Sequence, residues 1–186
     1  LGFSEEELSY YTDEKYADEI GNIQKTVDMY AKKYGTKIPI AVAGGIDTPQ
    51  KVKHVLNLGV QAVQVGTRFV TTEECDADIR YKQAYIKACK EDIVIVKSPV
   101  GMPGRAIKNT MLESVLRGEN IPPRKCYHCL AKCDPGQIPY CITKALIEAA
   151  KGNTEEGLLF CGANAYRAEK IETVKEVIAN LMQECV

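Results

Sequence analysis

Apolar side chains between residues 14 and 34, namely Tyr16, Ile20, Ile23, Val27, Tyr30, Ala31 and Tyr34, fall three and four positions apart. That spacing predicts an amphipathic helix, with Thr12 or Asp13 as its cap and Gly35 as its stop. Residues 38–43 follow as a continuous apolar run, the pattern of a parallel strand covered on both faces, with Pro39 tolerable only near its start. A second helix is expected over residues 47–58. Asp47 or Thr48 caps it, Pro49 fits its first turn, Val52, Val55 and Leu56 point inward, and Gly59 closes it. Residues 60–65 make the second strand. Further helical periodicity marks residues 78–90, 109–117 and 139–151, and a closing helix carries Ile171, Val174, Val177, Ile178 and Leu181 on one stripe. A short β-branched run covers residues 93–96. Ser98 to Arg105 is too rich in proline and glycine for regular structure and is expected to be a shaped loop.

Both early strands end in glycine: Ala41-Val42-Ala43-Gly44-Gly45-Ile46 after the first, Gly66-Thr67-Arg68-Phe69 after the second. Glycines let backbone N–H groups crowd round an anion, and the helix that follows offers its positive end. One such turn is as well read as a tight βα connection. Two of them one βα unit apart point to a phosphate site, because the last two βα loops of a (β/α)8 barrel frequently form one.

The 186 residues, 45% hydrophobic and 26% charged, suit a globular protein with one good core or two small ones. A net charge of −1 gives no reason to expect a nucleic-acid or anionic-membrane partner. No apolar run approaches the roughly 20 residues that span a bilayer, and the first residues resemble no signal peptide. A cytoplasmic location is expected. Of the two histidines, His54 lies within the second predicted helix and reads as a surface residue. The beginning at Leu1, without an initiator methionine, reads like the middle of a loop and suggests a fragment.

The eight cysteines do not read as a secreted disulfide framework. Cys75, Cys89, Cys161 and Cys185 are scattered and default to small buried hydrophobes or inert thiols. The other four form the run Cys126-x2-Cys129-x3-Cys133-x7-Cys141. Such spacing offers soft ligands for a tetrahedral zinc or an iron–sulfur cluster, with His128 able to replace one ligand of a zinc site. Reduced thiols in a proline-rich turn region are the alternative.

The segments at residues 38–46 and 63–69, then Glu73-Glu74-Cys75 and Gly104-Arg105-Ala106-Ile107-Lys108-Asn109, together resemble the nitronate monooxygenase family and its relative, the FMN-dependent enoyl-acyl-carrier-protein reductase. The resemblance runs over essentially the whole chain, including Gly162 to Arg167. It implies an α/β fold, the C-terminal portion of a (β/α)8 TIM barrel with a small inserted α/β segment. Residues 1–72 would run from the end of strand six to strand eight, 73–160 would be the insert, and 161–186 would carry the closing barrel helix.

It further implies that Gly44, Gly45, Gln64, Val65, Gly66 and Thr67 hold the phosphate of FMN. Arg68 would add charge there or serve as a structural ion-pair partner. The implied activity is oxidation of alkyl nitronates with oxygen. An NAD(P)H-dependent enoyl-thioester or quinone reductase is the alternative on the same scaffold, and a non-catalytic flavin-binding module the alternative from another class. The histidine that the family associates with proton abstraction would fall upstream of Leu1, so the catalytic residue and the N-terminal barrel half are expected to be missing partners of this chain, and the substrate a small molecule. The four-cysteine run is similar to one that holds a 4Fe–4S cluster in some flavin barrel reductases, with a shorter last interval here.

Overall fold

The computed structural model describes residues 12–101, 103–123, 125–131 and 133–185. The expected loop at the start of the chain lies outside them. The chain divides into two compact units: residues 66–174 form one, and residues 12–65 with 175–185 form the other among those described.

In the second unit, α1 runs Asp13–Tyr34. Thr12 caps it by accepting a hydrogen bond from Lys15 N, and Gly35 ends it with φ 62°. These are the stop and start signals visible in the sequence. β1, Ala41–Ala43, pairs in parallel with β2, Ala62–Gln64, in the register Ala41 to Ala62 and Ala43 to Gln64. Both strands are shorter than the apolar runs that predict them. Before β1, the Ile40 amide bonds to the Gln61 side chain at 2.8 Å, and the Ile40 carbonyl accepts from Gln61 N and Ala62 N at 3.0 and 3.3 Å. Between the strands, α2, Pro49–Asn57, buries Val52 and Val55. α7, Val174–Met182, closes the chain and buries Val177 and Leu181.

The unit at 66–174 begins with α3, Thr67–Val70, a single turn, followed by α4, Ile79–Lys87. Next come two antiparallel strands, β3, Ile93–Lys97, and β4, Pro103–Ile107. Thus the end of the expected irregular loop, Pro103 to Arg105, is strand, while Ser98 to Gly101 is irregular as expected. The composition that argued against it is explained locally: Pro103 occupies the first residue of β4, where a missing amide costs least. Gly104 runs so close to the Phe160 ring that a Cβ would collide with it. Only Ser98 to Gly101 turns, with Gly101 N donating to Ser98 O at 3.0 Å.

α5, Thr110–Leu116, is capped by Asn109, whose Oδ1 accepts from Leu112 N at 2.9 Å. α6, Ile142–Ala150, follows after an irregular segment. Among the described residues, two buried clusters organise this unit. One joins Val96, Ala106, Met111, Leu112, Tyr140, Ala145 and Leu158; the other joins Tyr85, Ala88, Ile107, Ala149, Leu159 and Ala165. No helix among the described residues is long and apolar enough to cross a membrane.

Candidate functional site

The parallel register brings Gly44 and Val65 off the sheet at the same, carboxyl, end of β1 and β2. Gly44 and Gly45 take φ of 100° and 67°, a left-handed course that only glycine follows without strain. Nothing lies within 4 Å of where a Cβ would stand on either, so the turn presents bare backbone to open space. Ile46, 6% exposed, anchors its far side. Thr48 then caps α2 through Lys51 N, and Lys51 Nζ turns back to donate to Gly45 O at 3.1 Å.

Gly44, Gly45 and Ile46 line a cavity of about 320 Å³ together with Tyr16, Lys51 and His54. The Tyr16 hydroxyl is enclosed and meets no hydrogen-bond partner among the described residues. Burial pushes its pKa up. His54 is exposed, as its place on the helix predicts. That it also lines this cavity could not be read from spacing. Gln64 is exposed and Val65 half-buried at the end of β2.

Gly66 and Thr67 belong to the other unit. There, Thr67 Oγ1 accepts from Gly162 N at 2.9 Å, and a Cβ on Gly162 would stand 2.9 Å from the same oxygen. The hydroxyl keeps its own proton free to donate. Arg68 is a structural ion-pair partner: its Nη2 lies 3.0 Å from Glu172 Oε2, with the two side chains 25% and 19% exposed.

The four clustered cysteines lie between α5 and the start of α6, and all are free thiols. Cys126 Sγ accepts from His128 N at 3.4 Å, and Cys129 Sγ lies 3.0 Å from Thr143 Oγ1. Partial burial first, then neighbouring Cys126, Cys129, Cys141 and Asp134, push the Cys133 thiol pKa up. Among the described residues no three His, Cys, Asp or Glu side chains form a group that holds a metal as they stand. Of the scattered cysteines, Cys161 is half-buried with its pKa pushed up to about 12 by burial. Cys89 is exposed and hydrogen-bonds Asp92 Oδ2 at 3.0 Å.

Comparison with known proteins gives these features a setting. The nitronate monooxygenase family model matches residues 10–184. A probable nitronate monooxygenase of Staphylococcus haemolyticus is 37% identical over 87 residues, covering 46% of this chain and 24% of that protein. The nitronate monooxygenase of Pseudomonas aeruginosa is 28% identical over 151 residues, covering 79% of this chain and 39% of that protein. The solved structure of FabK from Thermotoga maritima superposes with a TM-score of 0.62 at 26% identity, over 80% of this chain and 44% of FabK. The matched part of the chain therefore spans less than half the length of each of these relatives.

Proposed function

Since the chain belongs to the nitronate monooxygenase family, we propose that it is part of an FMN-dependent oxidoreductase and that the carboxyl ends of β1 and β2 carry the cofactor's phosphate. The family is one of oxidoreductases. The observation that supports the phosphate assignment is the Gly44–Gly45 turn, left-handed, free of side chains and open beside a cavity of about 320 Å³. Such a turn offers backbone amides to an anion. In this reading Gly44, Gly45, Gln64 and Val65 surround the phosphate. Bound FMN would supply the redox chemistry; the chain would bind and orient it.

The proposed reaction is oxidation of an alkyl nitronate with oxygen. Neither histidine of this chain matches the proton-abstracting one of the family resemblance. We place that residue in an N-terminal barrel half, with β1 and β2 as the last strands of a (β/α)8 barrel. Alternate strand positions Ala41, Ala43, Ala62 and Gln64 are exposed, and parallel strands are ordinarily covered on both faces, which supports a partner sheet there.

Fluorescence titration with FMN and with riboflavin tests the phosphate site. FMN is expected to bind more tightly, and Gly45→Val to weaken FMN at least about tenfold, or 1.4 kcal/mol. Equal affinity for both flavins would sink the phosphate assignment. In the full-length protein, oxygen uptake with a nitronate supports the proposed activity, whereas NADH consumption with an enoyl thioester supports the reductase. Flavin binding with neither activity leaves a non-catalytic module, and a colourless protein that binds no flavin defeats all three.

A further inference from the structure

The segment between α5 and α6 is rich in soft ligands and poor in core. None of its described residues from 117 to 139 joins either buried cluster of the 66–174 unit. Tyr127 and Leu130 stand 65% and 37% exposed. Among its described residues the segment is held by the bridge of Ile121 to Tyr140, by the contact of Cys129 with Thr143 and by turns around Leu130 and Asp134. A stretch so thinly packed gains order chiefly from a cross-link or a metal, and its cysteines form no disulfide.

Two of the sulfurs already take the hydrogen bonds that support a thiolate ligand. His128 adopts φ 51°, the one positive value at a non-glycine among the described residues, while its amide donates to Cys126 Sγ. Holding a side chain in that conformation opposes backbone preference, and the result is a tight turn between Cys126 and Cys129. The Thr143 hydroxyl is placed to donate to Cys129 Sγ. Cys141 occupies the N-cap position of the nine-residue α6 and so brings its sulfur to the end of the segment. Asp134 fixes the loop beside Cys133, accepting from Gly136 N at 2.9 Å and Gln137 Nε2 at 2.8 Å.

We propose that Cys126, Cys129, Cys133 and Cys141 bind a thiolate-ligated metal centre, Zn²⁺ or a 4Fe–4S cluster, whose binding orders the segment between α5 and α6. Four sulfurs without a carboxylate among them select soft metals over Mg²⁺ or Ca²⁺. Because the four sulfurs do not form a closed group beforehand, ligation and ordering are one step. Each thiol gives up its proton as its metal–sulfur bond forms, so uptake releases protons and weakens in acid. The centre is independent of the flavin reading and stands or falls without it.

The test is elemental analysis and a sulfide assay on the whole chain, purified anaerobically without chelator and again after incubation with Zn²⁺ or with iron and sulfide. About one zinc per chain identifies a mononuclear centre. About four irons with matching sulfide and broad visible absorbance identify the cluster. Either is expected to disappear in Cys126→Ala, Cys129→Ala, Cys133→Ala and Cys141→Ala and to persist in Cys89→Ala. If those variants do not fold, Cd²⁺ added to the metal-free wild type must produce sulfur-to-metal absorbance and protect about four thiols from alkylation. A wild-type chain that takes up neither metal, or variants that retain it, would overturn the proposal.

Discussion

The two compact units spend their apolar residues differently. The 66–174 unit closes two clusters in which Tyr85, Ala106, Leu112 and Leu158 are wholly buried. In the other, helices bury Val52, Val55 and Val177, yet the β1–β2 sheet leaves Ala41, Ala43, Ala62 and Gln64 exposed. Two parallel strands are too few to bury both of their faces. The first unit is organised around its own core, and the second around a sheet that presents its strand ends and one face. That is where the family resemblance puts the cofactor.

The largest test of this contrast is truncation. Leu112→Ala is expected to destabilise the protein by about 2–5 kcal/mol, since Leu112 is fully buried among Val96, Met111 and Tyr140. In the 186-residue chain taken alone, Ala43→Lys at the exposed strand position should change stability by less than about 0.5 kcal/mol. Urea unfolding measures both. A comparable loss at position 43 would mean that the sheet face is covered in solution, and the contrast would fail.

A middle-sized effect separates two uses of glycine. A Cβ on Gly157 would stand 2.5 Å from Ala149 Cα and 2.6 Å from Ala149 N, on backbone that cannot step aside. Gly157→Ala should cost about 1–3 kcal/mol by overpacking, seen as a lower Tm. At Gly44 and Gly45 there is ample space and the dihedral angle alone selects glycine. If Gly157→Ala were neutral, the 66–174 unit would be less tightly closed than its clusters indicate.

Much of this was legible in the chain. The helical spacing, the Thr12 cap and the Gly35 stop locate α1 to within a residue, and the glycine turns are at the strand ends where the apolar runs put them. β4 was hidden because Pro103 and Gly104 satisfy local rules for loops, and the Phe160 ring that makes Gly104 necessary lies far along the sequence. The bond from Gly162 to Thr67 was equally unreadable, since no periodicity relates positions so distant. The spacing of the cysteine run offers soft ligands or reduced thiols alike, and the hydrogen bonds at Cys126 and Cys129 require the folded turn. The division between the units falls after Val65, inside a strand-to-helix turn with no change in composition to mark it.

The smallest effect concerns a fastener on the surface of the 66–174 unit. Asp78 Oδ1 accepts from Arg80 N and Nε, both at 2.9 Å, and Oδ2 accepts from Arg80 Nη2 at 3.1 Å. The same guanidinium reaches Lys151 O at 2.9 Å, tying the start of α4 to the end of α6. The hydrogen bonds from Arg80 hold the Asp78 carboxyl down from 3.8 to about 2. A carboxylate depressed in the folded state stabilises it above the unfolded pKa, because the unfolded chain then binds the proton more readily. That contribution is whole at neutral pH, erodes as pH falls from 3.8 and is gone once pH passes below about 2. Asp78→Asn keeps a side-chain oxygen for the Arg80 amide and removes the charge. The Tm difference between wild type and this variant should therefore hold steady down to about pH 5 and shrink below it, and added salt should reduce it, because the pair is exposed and screened. A difference that stayed constant through the acid range would show that geometry, not charge, fastens α4 to α6.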